Sequence, residues 1–133
     1  MIAGVADTHT ALWHLFDDVR LSPAARSFID EAARQRQKIA IASITLAELV
    51  YLVEKQRLPS SAYDELIQAL NDPEHVFIEA ALTSAVVQAM RQVTRDQVPD
   101  LPDRIVAATA RYFGVPVITC DRQLQAAHIP TIW

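Results

Sequence analysis

The chain has very little of two residues that several protein classes need. Its 133 residues include two glycines and a single cysteine, Cys120. One cysteine cannot form an internal disulfide, and no cysteines and histidines are spaced as a zinc site. Gly4 and Gly114 lie too far apart for a glycine-rich phosphate loop. This distance excludes nucleotide binding of the P-loop and dinucleotide types.

Long apolar runs are also missing. No stretch approaches the length of a membrane-spanning helix, and the N-terminus lacks the basic and apolar regions of a signal peptide. We therefore expect a cytoplasmic protein. A hydrophobic content of 51% nevertheless excludes a disordered chain. The length suits one domain with a buried core, so we expect a single domain over residues 1–133.

Positive charge is the third shortage. The chain carries 12 basic and 16 acidic side chains, which gives a net charge of −4. Nucleic-acid-binding proteins are usually basic, so this balance argues against a phosphate-rich partner. The argument weakens if metal cations occupy a cluster of acids, because they reverse the local field.

Short apolar runs alternate with longer segments of helical periodicity. The pattern predicts strands at 2–6, 39–43, 75–80 and 115–119, and a short fifth strand in the C-terminal IPTIW. Alternation of strands and helices is typical of a mostly parallel sheet that helices cover on both faces. We therefore predict an α/β fold.

Acidic or hydroxyl side chains follow the predicted strands or open the adjoining helices. In an open parallel sheet, ligands bind at the carboxyl ends of the strands. We therefore expect these side chains to form a site at one edge of the sheet. They are Asp7, Thr8, Glu48, Asp100, Asp103, Thr119 and Asp121.

Each of these acids also has an ordinary structural explanation. Asp7 and Asp121 could cap the helices that follow them. Thr45 and Glu48 have the spacing of a capping box, in which the glutamate bonds back to the cap. Asp103 could complement the positive end of its helix dipole. Taken singly, none of them requires a functional site.

Taken together, the acids need a counter-charge. Four carboxylates at one place repel one another strongly unless something positive lies between them. Hard divalent cations such as Mg²⁺ or Mn²⁺ bind oxygen ligands, and no histidine or cysteine set competes for them. Such a site suits hydrolysis of a phosphodiester by a metal-activated water. Thr8 and Thr119 could orient the ligands or the water through their hydroxyl groups.

At this point the residues resemble a known family. The stretches DTHTALWHL, LSPAAR, ITLAEL, LPDRIVAATA and VITCDRQL follow in the order found in PIN-domain ribonucleases. The match is closest to VapC-type toxins of toxin–antitoxin pairs, and it covers nearly the whole chain. The resemblance implies a three-layer α/β/α sandwich and metal-dependent endoribonuclease activity. It also implies a homodimer, and a partner antitoxin that blocks the active site.

The family's acidic quartet can be carried over to this chain. It falls on Asp7, Glu48, Asp103 and Asp121, which the resemblance makes the catalytic residues and the ligands of Mg²⁺ or Mn²⁺. Thr8 and Thr119 match hydroxyl positions of the motif, and Asp100 matches an additional acid, so these three are auxiliary. Cys120 departs from the pattern, because relatives often have a basic or polar residue there. This difference weakens an RNA contact and leaves the ligands intact.

Other interpretations fit less well. A receiver-type phosphoacceptor domain needs a lysine after its last core strand, and the only lysines are Lys38 and Lys55. A haloacid-dehalogenase-type phosphatase needs a second aspartate two positions after Asp7, where His9 stands. A PIN-like domain that binds RNA or a protein without catalysis remains the alternative, and the complete acidic quartet argues against it.

Two further expectations concern other side chains. Trp13, Tyr51 and Leu52 add apolar area beyond what one helix face must bury, which favours a dimer. Arg104 and Arg122 each follow an acid of the quartet, so each could hold an RNA phosphate or form a neighbouring ion pair.

Overall fold

A computed structural model describes all residues from 1 to 133. Its five strands form one sheet in the order β3-β2-β1-β4-β5, and every neighbouring pair is parallel. The predicted α/β fold is therefore confirmed. The strands are β1 (Ile2–Ala6), β2 (Lys38–Ala42), β3 (Phe77–Ala80), β4 (Val117–Ile118) and β5 (Thr131–Ile132).

Seven α-helices connect and cover the strands. None of them is both long enough and apolar enough to cross a membrane. The helices are α1 (Thr8–Leu15), α2 (Pro23–Arg34), α3 (Ser43–Glu54), α4 (Ser60–Asn71), α5 (Ser84–Ala89), α6 (Leu101–Phe113) and α7 (Arg122–Ala126).

Several predicted elements are shorter than expected, including β3, which begins at Phe77, and β5, which covers only Thr131–Ile132. The helix predicted from Thr83 is α5, which gives way to a 3₁₀ turn at Met90–Gln92. The strand predicted at 115–119 pairs only over Val117–Ile118. Pro116 accepts a hydrogen bond from β1 through its carbonyl oxygen but has no N–H group to donate, so the regular pairing does not continue before Val117.

Side chains alternate between two cores, one on each face of the sheet. In β2, Ile39 and Ile41 pack into a core with α1, α2 and α4, whereas Ala40 and Ala42 pack into a core with α6 and α7. This period of two is the expected consequence of the pleat. The small alanines on the second face let the Ala-rich helix α6 lie close to the sheet. Helices on both faces give the three-layer α/β/α arrangement.

The strand order turns the sheet around β1. From β1 the chain moves outward through β2 and β3, then returns to the other side of β1 for β4 and β5. Adjacent connections leaving a sheet on opposite sides open a crevice at the carboxyl ends of the central strands. Asp7 follows β1 and Thr119 follows β4, so both lie at this crevice.

Gly4 is required by the close packing of β1. A Cβ atom there would lie 3.0 Å from Phe28 Cε1 and 3.3 Å from the carbonyl oxygen of Pro116. That carbonyl accepts a hydrogen bond from the N–H of Val5 at 3.0 Å, so the backbone beside Gly4 cannot easily move away.

We expect Gly4→Ala to lower the free energy of unfolding by about 1–3 kcal/mol, as overpacking of a core does. Adding Phe28→Leu removes one of the two close contacts, so the double variant should lose less than the sum of the single losses. Urea unfolding of the three variants measures this coupling. Strictly additive losses would show that Phe28 does not restrict the position.

Candidate functional site

One cavity at the carboxyl ends of β1 and β4 collects the predicted acids. Its volume is about 270 Å³, and five of its eight lining residues are acidic. The structure thus brings together side chains from four distant segments, as expected. The lining residues are Asp7, Thr8, His9, Glu48, Asp100, Asp103, Cys120 and Asp121.

Asp7 is held by both of its carboxylate oxygens. It caps α1 by accepting a hydrogen bond from the N–H of Thr10 at 3.0 Å. Its other oxygen accepts a hydrogen bond from the hydroxyl of Thr119, which is fully buried. The same hydroxyl accepts the N–H of Asp121 at 3.0 Å. Thr119 therefore fixes the positions of two predicted site residues relative to each other.

Glu48 is positioned differently from the expected capping box, and that expectation is wrong. Helix α3 begins at Ser43, so Thr45 lies inside the helix and does not cap it. The Glu48 carboxylate instead accepts a hydrogen bond from the hydroxyl of Thr8 at 2.6 Å. The buried hydroxyl of Thr45 lies 3.4 Å from that of Thr8. Glu48 therefore points towards α1 and the cavity.

Asp100 and Asp103 have separate roles. The carboxylate of Asp100 caps α6 by accepting a hydrogen bond from the N–H of Asp103 at 3.1 Å. The carboxyl group of Asp103 is not needed for this helix start and projects into the cavity. The helix-start explanation therefore applies to Asp100 and not to the side chain of Asp103.

Asp121 caps the short helix α7. One of its oxygens accepts hydrogen bonds from the N–H groups of Gln123 at 2.9 Å and Leu124 at 3.1 Å. The other oxygen makes no hydrogen bond to the protein. Like Asp7, it is both a helix cap and part of the cavity lining.

The negative charge in the cavity is not balanced by a lysine or an arginine. No lysine or arginine lines it, and the three ion pairs of the protein lie elsewhere. The pKa of Asp103 is raised from 3.8 to about 7, chiefly by burial and then by the carboxylates of Asp100, Asp121, Glu48 and Asp7, in that order. The chain therefore concentrates carboxylates where a cation would stabilise them.

Arg104 belongs to neither of its predicted roles. Its guanidinium donates to the carbonyl of Val93 at 2.6 Å and to the carbonyl of Met90 at 3.0 Å. It therefore provides hydrogen-bond donors for the carbonyl groups of the first residue of the 3₁₀ turn and of the residue that follows the turn. A positive charge there also complements the helix dipole. Through these bonds it ties the segment before Asp100 to α6.

Three supporting residues could not be identified from the sequence. Thr10 donates its hydroxyl to the carbonyl of Ile118 at 2.8 Å, and Gln125 donates its side-chain amide to the carbonyl of Thr119 at 3.1 Å. Thr45 is the third, beside Thr8. In the sequence, only the presence of a hydroxyl group on an otherwise apolar helix face could have indicated the supporting role of Thr10 and Thr45. Nothing in the sequence indicated the role of Gln125.

The donor set fits a hard divalent cation in its chemistry. The predicted ligands offer only carboxylate oxygens, and the pKa of Asp103 is raised first by burial and then by the charges of the other acids. In the conformation described, no three Asp, Glu, His or Cys side chains converge closely enough to hold one ion. The acids surround a common cavity and do not meet at one point.

The pKa of Asp103 predicts how stability depends on pH in the presence of a chelator. Between pH 3.8 and about 7 the folded protein keeps a proton that the unfolded chain has lost, so stability falls as the pH rises through this range. We expect Asp103→Asn to remove this slope. At about pH 8 it should raise the free energy of unfolding by about 1 kcal/mol, after solvent screening is allowed for.

Thermal unfolding at a series of pH values measures this effect. Asp64→Asn is the matched control, because Asp64 is an exposed acid of α4 outside the cavity. It should leave the slope in place. An identical slope in wild type and Asp103→Asn would contradict the assignment of the shift to Asp103.

Comparison with known proteins agrees with this geometry. The family model of the PIN domain matches residues 5–129. The chain is 30% identical over 136 residues to Ribonuclease VapC22 of Mycobacterium tuberculosis, and the alignment covers all of both proteins.

Three solved structures share the fold. VapBC2 from Rickettsia felis, bound to a DNA fragment from its promoter, gives a TM-score of 0.70 at 17% identity, over 98% of this chain and 97% of that one. A toxin–antitoxin complex from Klebsiella pneumoniae gives 0.63 at 19% identity, over 98% and 97%. FitAcB from Neisseria gonorrhoeae gives 0.58 at 20% identity, over 98% and 96%. Because the family model covers almost the whole chain, the protein belongs to the PIN domain family.

Proposed function

We propose that this protein is a metal-dependent endoribonuclease that hydrolyses RNA phosphodiester bonds, and that it is the toxin of a toxin–antitoxin pair. The observation that carries the proposal is the cavity lined by five acids without a lysine or arginine. The full-length relative at 30% identity is named a ribonuclease, which supports RNA as the substrate.

The acids have the chemistry that a metal site for phosphodiester hydrolysis requires. Asp7, Glu48, Asp103 and Asp121 would hold Mg²⁺ or Mn²⁺, as the oxygen-only donor set suggests. When bound, such an ion polarises the phosphate and lowers the pKa of a water molecule.

The chain's own hydrogen bonds hold three of these ligands in place. Thr119 fixes Asp7, and Thr8 fixes Glu48. Two backbone N–H groups hold one oxygen of Asp121 and leave the other free. These bonds fix three of the four carboxylates on the wall of the cavity, so binding of a cation would require the ligands, Asp103 above all, to move closer together.

Asp103→Asn tests the role of the charge. The change keeps the shape of the side chain and leaves the cap to Asp100. We expect RNA cleavage in Mg²⁺ or Mn²⁺ to fall by about two orders of magnitude or more, because one negative ligand is lost. The assay is cleavage of single-stranded RNA by the purified protein with any antitoxin removed.

Asp100→Asn is the matched control. Asparagine is as good a helix cap as aspartate, so α6 should still begin at Leu101. Because Asp100 is auxiliary in this proposal, the loss of cleavage should be much smaller. Equal cleavage by wild type and Asp103→Asn would favour the alternative, a PIN domain that binds RNA or a protein without catalysis.

We also propose two protein partners, an antitoxin and a second copy of this chain. The similar solved structures include toxin–antitoxin complexes, which supports an antitoxin. For the second copy, Val50 and Tyr51 on α3 are exposed by 42% and 55%. Trp13 packs against the core and the ring of Trp133, so it contributes less to a free surface than its sequence suggested.

Sedimentation velocity of the isolated protein tests the second copy. We expect a dimer at about 10 µM protein, because the exposed apolar side chains of α3 exceed what a free helix face usually shows. Tyr51→Lys should shift the equilibrium towards the monomer, since a charge would be buried in the contact. A wild-type monomer at this concentration would rule out a stable homodimer.

A further inference from the structure

We propose that a groove between α5 and the C-terminal half of α6 binds the single-stranded RNA substrate away from the cleavage site. This inference rests on the proposed ribonuclease function and extends it to substrate binding. The groove has a volume of about 510 Å³. It is lined by Ala85, Gln88, Ala89, Arg91, Gln92, Arg111 and Tyr112.

The cleavage cavity cannot hold the RNA backbone by charge alone. It has no lysine or arginine, and its five carboxylates repel phosphates unless a cation lies between them. Nucleic-acid binding draws most of its affinity from lysine and arginine at phosphates. The positive charge that retains RNA must therefore come from elsewhere on the chain.

Five of the twelve basic side chains are already bound within the protein. Three arginines pair with carboxylates, and the guanidinium of Arg104 and the ammonium of Lys38 are bound to backbone carbonyls. Lys38 shares its cavity with Arg36 and an acid, Glu74. In contrast, Arg91 and Arg111 line one groove that contains no acid.

The two segments that form this groove are basic in an acidic protein. Residues 84–92 and 104–113 contain three arginines and no aspartate or glutamate, although the whole chain has a net charge of −4. The only hydrogen bond of the Arg111 side chain goes to the amide oxygen of Gln92. The rest of its guanidinium, and that of Arg91, can reach phosphate oxygens.

An aromatic ring completes the groove. Tyr112 is 52% exposed, and its ring packs edge-on against Phe113 at 5.0 Å. Proteins that bind single strands combine a positive groove with aromatic rings on which bases stack.

The groove lies at a distance from the cleavage site. Arg111 lies eight positions after Asp103 on the same helix, about 12 Å further along its axis. A strand cleaved at Asp103 would have to be several nucleotides long to reach the groove.

Cleavage of two RNA lengths by Arg91→Gln/Arg111→Gln tests the groove. We expect the KM for an RNA of about 20 nucleotides to rise about 10-fold, with kcat unchanged, whereas a dinucleotide, which is too short to reach the groove, is cleaved as by wild type. The slope of log(kcat/KM) against log(salt) should become shallower by about 1.4, because two phosphate contacts are lost. Arg91→Gln alone, which breaks no hydrogen bond of the fold, should change the slope by about 0.7.

Arg36→Gln/Arg57→Gln is the matched control, since both arginines are exposed and the net charge changes equally. It should leave the length dependence intact. Tyr112→Ala should raise the KM for the long RNA about 5-fold at every salt concentration, because stacking does not release ions.

The two possible failures can be told apart. No cleavage of either RNA by wild type would overturn the ribonuclease function itself. Normal cleavage of the long RNA by Arg91→Gln/Arg111→Gln would overturn only the proposal that the groove binds RNA. The ribonuclease function would stand, and an acidic segment of a protein would be the occupant to test next. An equal loss on both lengths would also overturn it, because the groove would then act on the cleavage site.

Discussion

Mutual repulsion of carboxylates is the constraint on which the rest of this structure depends. A folded chain that gathers five acids in one cavity loses stability unless other interactions hold them. Here three of them are helix caps, at Asp7, Asp100 and Asp121, each bonded to backbone N–H groups. The positive ends of three helices therefore point at the cavity and offset part of the repulsion. The N-termini of α1, α6 and α7 thus meet the acidic cavity, while the apolar faces of the same helices pack against the sheet.

This arrangement joins the structural and functional roles of the same residues. A capping oxygen is used by the fold, and the second oxygen of the same carboxylate remains available to the cavity, as in Asp121. Asp103 is the exception, because its carboxyl group accepts no hydrogen bond from the protein and has a pKa raised to about 7. A side chain that costs stability and supports no local structure is the strongest sign of function in the chain.

Sequence patterns were sufficient for the sheet and for the acids, and insufficient for the contacts between them. The alternation of apolar runs identified β1, and Gly114 with φ of 68° ends α6 as predicted. Glu48 was expected in the site and lies there, and only the alternative of a capping box with Thr45 fails, because α3 begins at Ser43, directly after β2. Arg104 was misjudged because its partners are carbonyls eleven and fourteen positions away, which only tertiary packing brings near. Local rules cannot distinguish such cases, because the competing partner lies elsewhere in the chain.

The acids also decide the chemistry of the one cysteine. Burial, and then the neighbouring charge of Asp7, raises the pKa of the Cys120 thiol. Only a thiolate binds soft metals or reacts readily with oxidants. The thiol therefore stays protonated at neutral pH even though it lines the cavity, and it does not compete with oxygen ligands for a cation. The charge of Asp7, which belongs to the group of acids expected to bind a hard ion, thus also helps to keep the neighbouring thiol in its less reactive form.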